Sequence, residues 1–144
     1  MKTSGIILIV LSFCLFSCAK NPPAKVSESF SKKFPGAIKV SWGQEKSSEW
    51  EAEFKMNGVE MSACFDPSGN WMETEKEIGQ KELPAKISAA ISQKYAGYKI
   101  EETVEIENNT FKGYEIALKL KKDEIEVLAT SEGELTLKKE SEEK

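Results

Sequence analysis

The sequence predicts an α+β fold made of two tandem αββββ repeats, which form an antiparallel sheet with both helices packed on one face. Three observations predict this fold. The chain contains an internal repeat, each copy begins with a hydrophobic period near that of a helix, and a period of two follows. Residues 23–75 form the first repeat and residues 84–137 the second, and we expect residues 23–137 to be a single domain.

The internal repeat is clearest at the start of each copy. Residues 23–36 align without a gap to residues 84–97, and seven of the 14 positions are identical. A second block, residues 50–56, aligns with residues 114–120 at a slightly larger offset. Chance is a poor explanation for two blocks in the same order, so we interpret the chain as the product of a duplication.

A helix is predicted at the start of each repeat. Apolar residues recur there at a spacing of four, which places them on one helical face. They are Val26, Phe30 and Phe34 in the first repeat and Ile87, Ile91 and Tyr95 in the second. Pro23 and Pro84 stand near the first turn, where a missing N–H costs least. Gly36 and Gly97 stand where a helix end favours the left-handed conformation.

Alternation of apolar and polar residues then predicts four strands in each repeat. The predicted strands are residues 38–42, 50–56, 59–65 and 70–74, then 100–106, 114–120, 125–129 and 135–137. Ile38, Val40 and Trp42 form the apolar phase of the first strand, and Asn57-Gly58 predicts a hairpin turn. Antiparallel hairpins with one apolar face require a helix to cover that face.

Residues 1–17 predict a lipoprotein signal peptide. Lys2 precedes an apolar run over residues 5–16, which is too short to span a bilayer and is typical of a signal sequence. Leu15-Phe16-Ser17-Cys18 is similar to a bacterial lipobox. It predicts that Cys18 is acylated and anchors the protein to a membrane through lipid. The alternative is an ordinary secretory signal that ends with an unrelated Cys.

Composition argues against several functional classes. The chain has no His and no Arg, and its 20 basic residues, all Lys, face 24 acidic ones. Without His, the chain lacks the usual Ser-His-Asp and Cys-His nucleophile systems and His-containing zinc sites. A net charge of −4 without Arg disfavours nucleic acid as a partner. We therefore predict no catalytic residues, no cofactor and no metal. Residues 18–22 are interpreted as anchor and linker, and residues 138–144 as a disordered charged tail.

Several residues can be interpreted either as functional or as purely structural. Cys64, the only thiol left after processing, lies among carboxylates that should raise its pKa and lower its reactivity. Trp42, Trp50 and Trp71 could stack a ligand, but they share the phase of the core, with the phase of Trp71 the least determined. Residues 66–70 resemble the start of a calcium loop without its remaining acids.

Several segments form a recognisable pattern: Phe34-Pro35-Gly36-Ala37, Val40-Ser41-Trp42, Trp50-Glu51-Ala52-Glu53-Phe54, residues 65–71 and Leu83-Pro84. In this pattern the chain resembles the PepSY-like, beta-lactamase-inhibitor-like family of exported bacterial proteins. The resemblance covers roughly residues 22–137. It implies the α+β fold and, by analogy, a small inhibitory domain that binds an enzyme with an open sheet face.

We predict a binding module, inhibitor-like in its mode of action, on the periplasmic side of a membrane in a Gram-negative cell envelope. It is expected to contact a protein or peptide through the helix-free sheet face. The residues of this candidate binding face are Glu51, Glu53, Lys55, Glu60, Ser62, Cys64, Glu115, Ala117, Lys119 and Leu128. One alternative is a structural or envelope-stress lipoprotein without a tight ligand. Another is an enzyme or a metal carrier, for which the absence of His and a single thiol leave little to build on. Glu51, Glu53 and Glu60 could act as paired carboxylates, although Lys55 offers an ordinary cross-strand partner.

Overall fold

The computed structural model describes residues 21–44 and 48–138. Its helices are α1 (Ala24–Lys33) and α2 (Ala85–Lys94), and a short 3-10 helix, Gln80–Glu82, precedes α2. Its strands are β1 (Ile38–Gly43), β2 (Trp50–Met56), β3 (Val59–Phe65), β4 (Trp71–Glu77), β5 (Lys99–Asn108), β6 (Lys112–Leu120), β7 (Asp123–Ala129) and β8 (Leu135–Leu137). These strands form one eight-stranded sheet in the order of the chain. The predicted α+β class and antiparallel sheet are confirmed.

Two compact units divide the described residues. The first unit contains the described part of residues 21–77 together with residues 106–112. The second contains residues 78–105 and 113–138. The tip of the β5–β6 hairpin therefore belongs to the first unit, a boundary that the repeat alignment did not suggest. The duplication and the placement of both helices on one sheet face stay predictions.

The core of the first unit is largely aromatic. Its buried members are Val26, Phe30 and Phe34 from α1 and Trp50, Ala52, Phe54, Ala63 and Phe65 from β2 and β3. The Phe54 ring centroid lies 5.0 Å from that of Phe30 and 4.7 Å from that of Phe34. These separations are favourable for aromatic pairs. Trp42 and Trp71 pack against this cluster half-buried. The prediction that Trp42 and Trp50 serve the core is therefore confirmed, and Trp71, whose phase the sequence left open, packs against the same cluster.

The core of the second unit is aliphatic. Its buried members are Leu83, Ile87, Ile91, Ile116, Leu118, Val127 and Ala129. Tyr95 and Tyr98 pack against this cluster from the end of α2. The apolar positions predicted at a helical period thus lie against strand residues of matching phase in each unit, which confirms the predicted helices.

One of the two glycines that follow the helices does not have the predicted left-handed conformation. Gly97 has a φ of +89°, as expected after a helix, whereas Gly36 is absent from the positive-φ residues. The expectation for Gly36 is wrong. Both helices end alike, because Phe34 and Tyr95 follow the last helical residues with φ of −125° and −122°. The difference lies in the turn that follows, where Gly97 takes a positive φ and Gly36 does not, so a left-handed residue is not needed to end α1.

β1 departs from its predicted alternation. Ile38 is 58% exposed and Val40 is 39% exposed, although both belong to the apolar phase of the sequence. Lys39 has a φ of +55°, and the pairing with β2 is irregular between Ile38 and Ser41. The extra residue shifts the alternation across the bulge, so Ile38, which pairs with Lys55, lies on the side opposite to Trp42. Only Trp42, which pairs with Ala52, keeps the core phase.

The two chain ends are described unequally. Cys18, the predicted lipidation site, lies outside the described residues, as do residues 139–144. Lys138, assigned to the charged tail from sequence, donates its backbone N–H to the Glu126 carbonyl at 2.9 Å. Within residues 21–44 and 48–138, every helix is too short or too polar to cross a membrane.

Candidate functional site

The sheet face opposite α1 holds the predicted binding residues of the first unit. Directly paired residues in antiparallel strands point to the same side. The pairs are Glu51 with Cys64, Glu53 with Ser62 and Lys55 with Glu60 across β2 and β3, and Glu73 with Cys64 and Glu75 with Ser62 across β3 and β4. We call these eight residues the outer face of the first unit. The structure therefore brings all six predicted first-repeat residues together.

Glu73 and Glu75 were missed from sequence. β4 was expected to end at residue 74, but it continues to Glu77. The alternation of Glu73 and Glu75 around Thr74, which pairs with Ala63 of the core, was the available signal. With these two residues, the outer face of the first unit carries five carboxylates and one Lys.

Two acids of this face, Glu53 and Glu73, accept hydrogen bonds from uncharged side chains. The Ser41 hydroxyl donates to Glu53 Oε2 at 3.3 Å. The Asn108 amide donates to Glu73 Oε2 at 3.0 Å. Lys55 Nζ lies 2.9 Å from Glu60 Oε1, with both side chains partly exposed. Neutral donors orient a carboxylate without cancelling its charge, and five carboxylates with one Lys make this face acidic in composition.

Cys64 lies at the centre of these acids. Burial raises the pKa of the Cys64 thiol well above its ordinary value, and the charges of Glu51, Glu49 and Glu73 raise it further. The sequence predicted the effect of the carboxylates but not the larger effect of burial. A protonated thiol is a weak nucleophile and a weak metal ligand. The position of Cys64 therefore suits a bystander in the strand.

The outer face of the second unit consists of the corresponding pairs in β6 and β7. They are Glu115 with Leu128, Ala117 with Glu126 and Lys119 with Glu124. The structure brings together the four predicted second-repeat residues, Glu115, Ala117, Lys119 and Leu128, and adds Glu124 and Glu126. An apolar centre formed by Ala117 and Leu128 distinguishes this face from that of the first unit.

Lysines pair with the acids of the second face. Lys138 Nζ lies 2.6 Å from Glu115 Oε1 and 3.1 Å from Glu126 Oε2. Lys119 forms an ion pair with Glu124. Burial raises the pKa of Glu126, and Glu115 adds to the rise against the opposing charge of Lys138. Burial acts to lower the pKa of Lys138, but the two carboxylates hold it above its ordinary value.

The acidic residue of the turn between β3 and β4, Asp66, accepts hydrogen bonds from within that turn. Asp66 Oδ1 accepts the backbone N–H groups of Ser68 at 2.8 Å and Asn70 at 2.9 Å, and Oδ2 accepts the Asn70 amide at 2.7 Å. These hydrogen bonds, first that of the Asn70 side chain, lower the pKa of Asp66. The faint likeness of residues 66–70 to a calcium loop is explained by this turn. In the part of the chain that the structure describes, no three acidic, Cys or His side chains converge as metal ligands would.

Comparisons with known proteins agree with this architecture. A family model described as beta-lactamase-inhibitor-like and PepSY-like matches residues 48–137. No curated protein matches the chain.

Three solved structures share the fold. A BLIP-like protein from Bacteroides fragilis is 21% identical, with a TM-score of 0.75 over 83% of this chain and 86% of that one. A DUF2874 family protein from Bacteroides uniformis is 22% identical, with a TM-score of 0.73 over 80% and 86%. A protein from Bacteroides eggerthii, described provisionally as periplasmic, is 20% identical, with a TM-score of 0.72 over 81% and 86%. These likenesses show the fold, and the family match covers more than half of the sequence. The chain belongs to the PepSY-like, beta-lactamase-inhibitor-like family.

Proposed function

We propose that the protein is an exported binding module that contacts a protein or peptide through the outer face of its sheet. The observation that carries the proposal is the outer face of the first unit, where five carboxylates and one Lys lie on paired strands. A face of this charge favours a partner that presents cationic or hydrogen-bond-donating groups, and it speeds their encounter.

The family supports an inhibitor-like mode of binding. Its description and that of the Bacteroides fragilis structure both refer to BLIP-like proteins, which favours a protein as the partner. Binding of this kind requires no catalytic residue or cofactor. We propose that the chain acts without either and without nucleic acid.

We further propose that the module is tethered by lipid on Cys18, with residues 1–17 removed and residues 18–22 as the linker. The provisional description of the Bacteroides eggerthii structure as periplasmic supports placement on the periplasmic side of a membrane. A Cys18→Ser change is expected to move the protein from the membrane fraction to the soluble fraction. Retention of the variant in the membrane fraction would contradict the lipid anchor.

The binding proposal is tested by affinity capture from the native cell. The full chain, with a tag after Lys144, is expressed in its source bacterium, cross-linked and extracted with detergent. The test variant carries Glu53→Lys and Glu75→Lys on the outer face. The control carries Glu28→Lys and Glu134→Lys, which are exposed residues on α1 and in the β7–β8 turn and give the same change in charge.

We expect a partner that is captured by the wild-type chain and by the control but is lost from the Glu53→Lys, Glu75→Lys variant. That result would identify the partner and its contact surface together. Equal capture by both variants would contradict the use of this face. Absence of any enriched partner would favour a structural envelope lipoprotein instead.

A further inference from the structure

A pocket lies on the other side of the first unit, beside α1. It is a shallow depression, open to solvent, with a volume of about 610 Å³. It is lined by Ser29, Lys32 and Lys33 from α1, Phe65 at the end of β3, Gly69 and Asn70 from the β3–β4 turn, Trp71 at the start of β4 and Asn109 from the β5–β6 turn. None of these residues belongs to the outer face, so the pocket is a second candidate site.

The two turns that border the pocket are held in place by specific contacts. Gly69 has a φ of +86°, and a Cβ there would lie 2.6 Å from the Lys25 carbonyl oxygen, so only Gly lets this turn approach α1 so closely. In the β5–β6 turn, Asn108 Oδ1 accepts the backbone N–H groups of Thr110 at 3.0 Å and Phe111 at 2.9 Å. These bonds fix the backbone on both sides of Asn109.

Lys32 and Lys33 give the pocket positive charge. Lys33 Nζ lies 3.9 Å from the centroid of the Trp71 ring, inside the range of a cation–π contact. Among the residues that the structure describes, neither Lys32 nor Lys33 pairs with a carboxylate. A cation–π contact leaves the ammonium charged, with N–H groups available to an anion. This contrasts with Lys55, Lys86, Lys119 and Lys138, which pair with acids.

The second repeat lacks the same features at aligned positions. The alignment places Ser29 on Ala90, Lys32 on Gln93, Lys33 on Lys94 and Trp71 on Leu135. Lys94 Nζ donates to the Leu135 carbonyl at 2.9 Å, so its ammonium is held by the backbone. The first unit alone therefore combines two lysines, a hydroxyl and an indole at this place. A merely solvated helix end does not require that combination.

We infer that this pocket binds a carboxylate attached to an apolar group, as found at the C-terminal residue of a peptide. The lining holds two lysines and no acidic residue, and Asp66, which accepts a hydrogen bond from the lining residue Asn70, moderates this positive charge. The site therefore favours a monoanion such as a carboxylate. A phosphate is better served by Arg forks and by more positive charge, and this chain has no Arg. Trp71 provides the apolar wall, while Ser29 and Asn109 offer hydrogen bonds to the adjacent peptide group.

The test uses N-acetylphenylalanine as the probe and its neutral amide, N-acetylphenylalaninamide, as the chemical control. The full chain in detergent is titrated while the Trp71 indole N–H and the backbone N–H of Asn70 are followed by NMR. We expect saturable shifts with the acid and at least tenfold weaker binding of the amide, since the ion–ion contact is absent. Lys33→Met should weaken the acid at least tenfold, whereas the matched Lys94→Met should leave it within twofold.

Trp71→Leu, which introduces the residue of the second repeat, provides an independent variant and is expected to weaken the acid as well. Equal binding of acid and amide would overturn the inference, as would equal effects of Lys33→Met and Lys94→Met. Tighter binding of inorganic phosphate, or of 3-phenylpropionate, than of N-acetylphenylalanine would overturn the assignment to a peptide terminus. Because the pocket and the outer face share no residue, failure here leaves the proposed function untouched.

Discussion

The two units follow the same order of helix and strands but differ in core and surface. The first unit has an aromatic core and an outer face whose acids Glu53 and Glu73 accept from neutral donors. The second has an aliphatic core and an outer face where Lys138 and Lys119 pair with the acids. In the second unit two lysines lie on three outer-face acids. In the first unit Lys55 pairs with Glu60, and the face carries five carboxylates against that one Lys.

This difference indicates a division of roles. Apolar periodicity is enough to fold either unit, so the polar positions of the two units are free to differ. Ion pairs of the kind seen in the second unit satisfy charge internally and leave less of it for recognition. We therefore propose that recognition is a property of the first unit.

The largest expected effect concerns the two cores. Phe54 is 1% exposed and Leu118, its aligned counterpart, is also 1% exposed. Phe54→Ala should lower the free energy of unfolding by about 4 kcal/mol and Leu118→Ala by about 3 kcal/mol. Urea unfolding followed by circular dichroism measures both values. A loss below about 1 kcal/mol for Phe54→Ala would contradict the aromatic core.

The next effect concerns the glycines where each unit's turn approaches its helix. A Cβ on Gly69 would lie 2.6 Å from the Lys25 carbonyl oxygen, whereas one on Gly133 would lie 3.1 Å from that of Lys86. Both residues have positive φ. Replacement by Ala should lower the free energy of unfolding by about 3 kcal/mol at Gly69 and by about 2 kcal/mol at Gly133. The backbone strain of a positive φ adds there to the steric clash of the Cβ with the helix.

Gly58→Ala is the control for this pair. Gly58 has a φ of +84° with nothing within 4 Å of a Cβ, so Ala there should cost only about 1 kcal/mol for the backbone strain. Thermal or urea unfolding of the three variants gives the comparison. An equal loss of stability at all three positions would show that the close approach of a turn to its helix, α1 or α2, makes no difference.

A smaller effect separates the two outer faces. Lys138→Met removes the partner of Glu115, which is 8% exposed, and should cost about 1–2 kcal/mol at neutral pH. Lys55→Met removes a more exposed pair and should cost less than about 1 kcal/mol. Chemical unfolding at pH 7 compares the two variants. A greater loss of stability for Lys55→Met than for Lys138→Met would contradict the stronger ion pairing of the second outer face.

The loss in Lys138→Met should also depend on pH. The pKa of Glu126 is raised in the folded protein, so its contribution favours folding below its unfolded pKa and is lost as pH rises through the folded value. Without Lys138 the carboxylate is harder to ionise. The deficit of the variant should therefore shrink as the pH falls from 7 towards the ordinary pKa of Glu. A loss of stability in Lys138→Met that grows as the pH falls would contradict the raised pKa of Glu126 in the folded protein.

The smallest effect concerns the β3–β4 and β7–β8 turns. Asp66 closes the first, while the aligned Thr130 hydroxyl accepts the Glu134 backbone N–H at 3.3 Å in the second. The pKa of Asp66 is lowered, so its stabilisation is present above the unfolded pKa and is lost as pH falls through the lower folded value. The amide N–H signals of Ser68 and Asn70 should follow this titration in NMR spectra, at a midpoint below the ordinary Asp pKa. The Glu134 amide should show no such dependence on Asp66.

Regular alternation made some elements predictable to the residue. β2 and β3 have the predicted bounds, because both strands alternate strictly and Asn57-Gly58 has positive φ at both positions, as a tight hairpin requires. β1 was predicted less well. Its alternation is reversed by Lys39 at positive φ, and Lys gives no local signal for that conformation.

The candidate sites were predictable to different extents. The outer-face residues of β2, β3, β6 and β7 follow from alternation alone, and they lie where the sequence placed them. The ion pairs of Lys138 with Glu115 and Glu126 join positions that are far apart in the chain, so no local pattern reveals them. The pocket of Lys33 and Trp71 likewise depends on a turn that approaches a helix, and pairwise distances of this kind are set by tertiary packing.

The most direct test of the account compares charge reversal on the two outer faces against the captured partner. One full-length variant carries Glu53→Lys and Glu75→Lys, and the other carries Glu124→Lys and Glu126→Lys; the Kd of each is measured by biolayer interferometry at physiological salt. We expect roughly a 100-fold loss of affinity for the first variant, because two favourable charges at about 1.4 kcal/mol each become repulsive, and less than a threefold loss for the second. Equal losses, or a larger loss for the second variant, would contradict the assignment of recognition to the first unit.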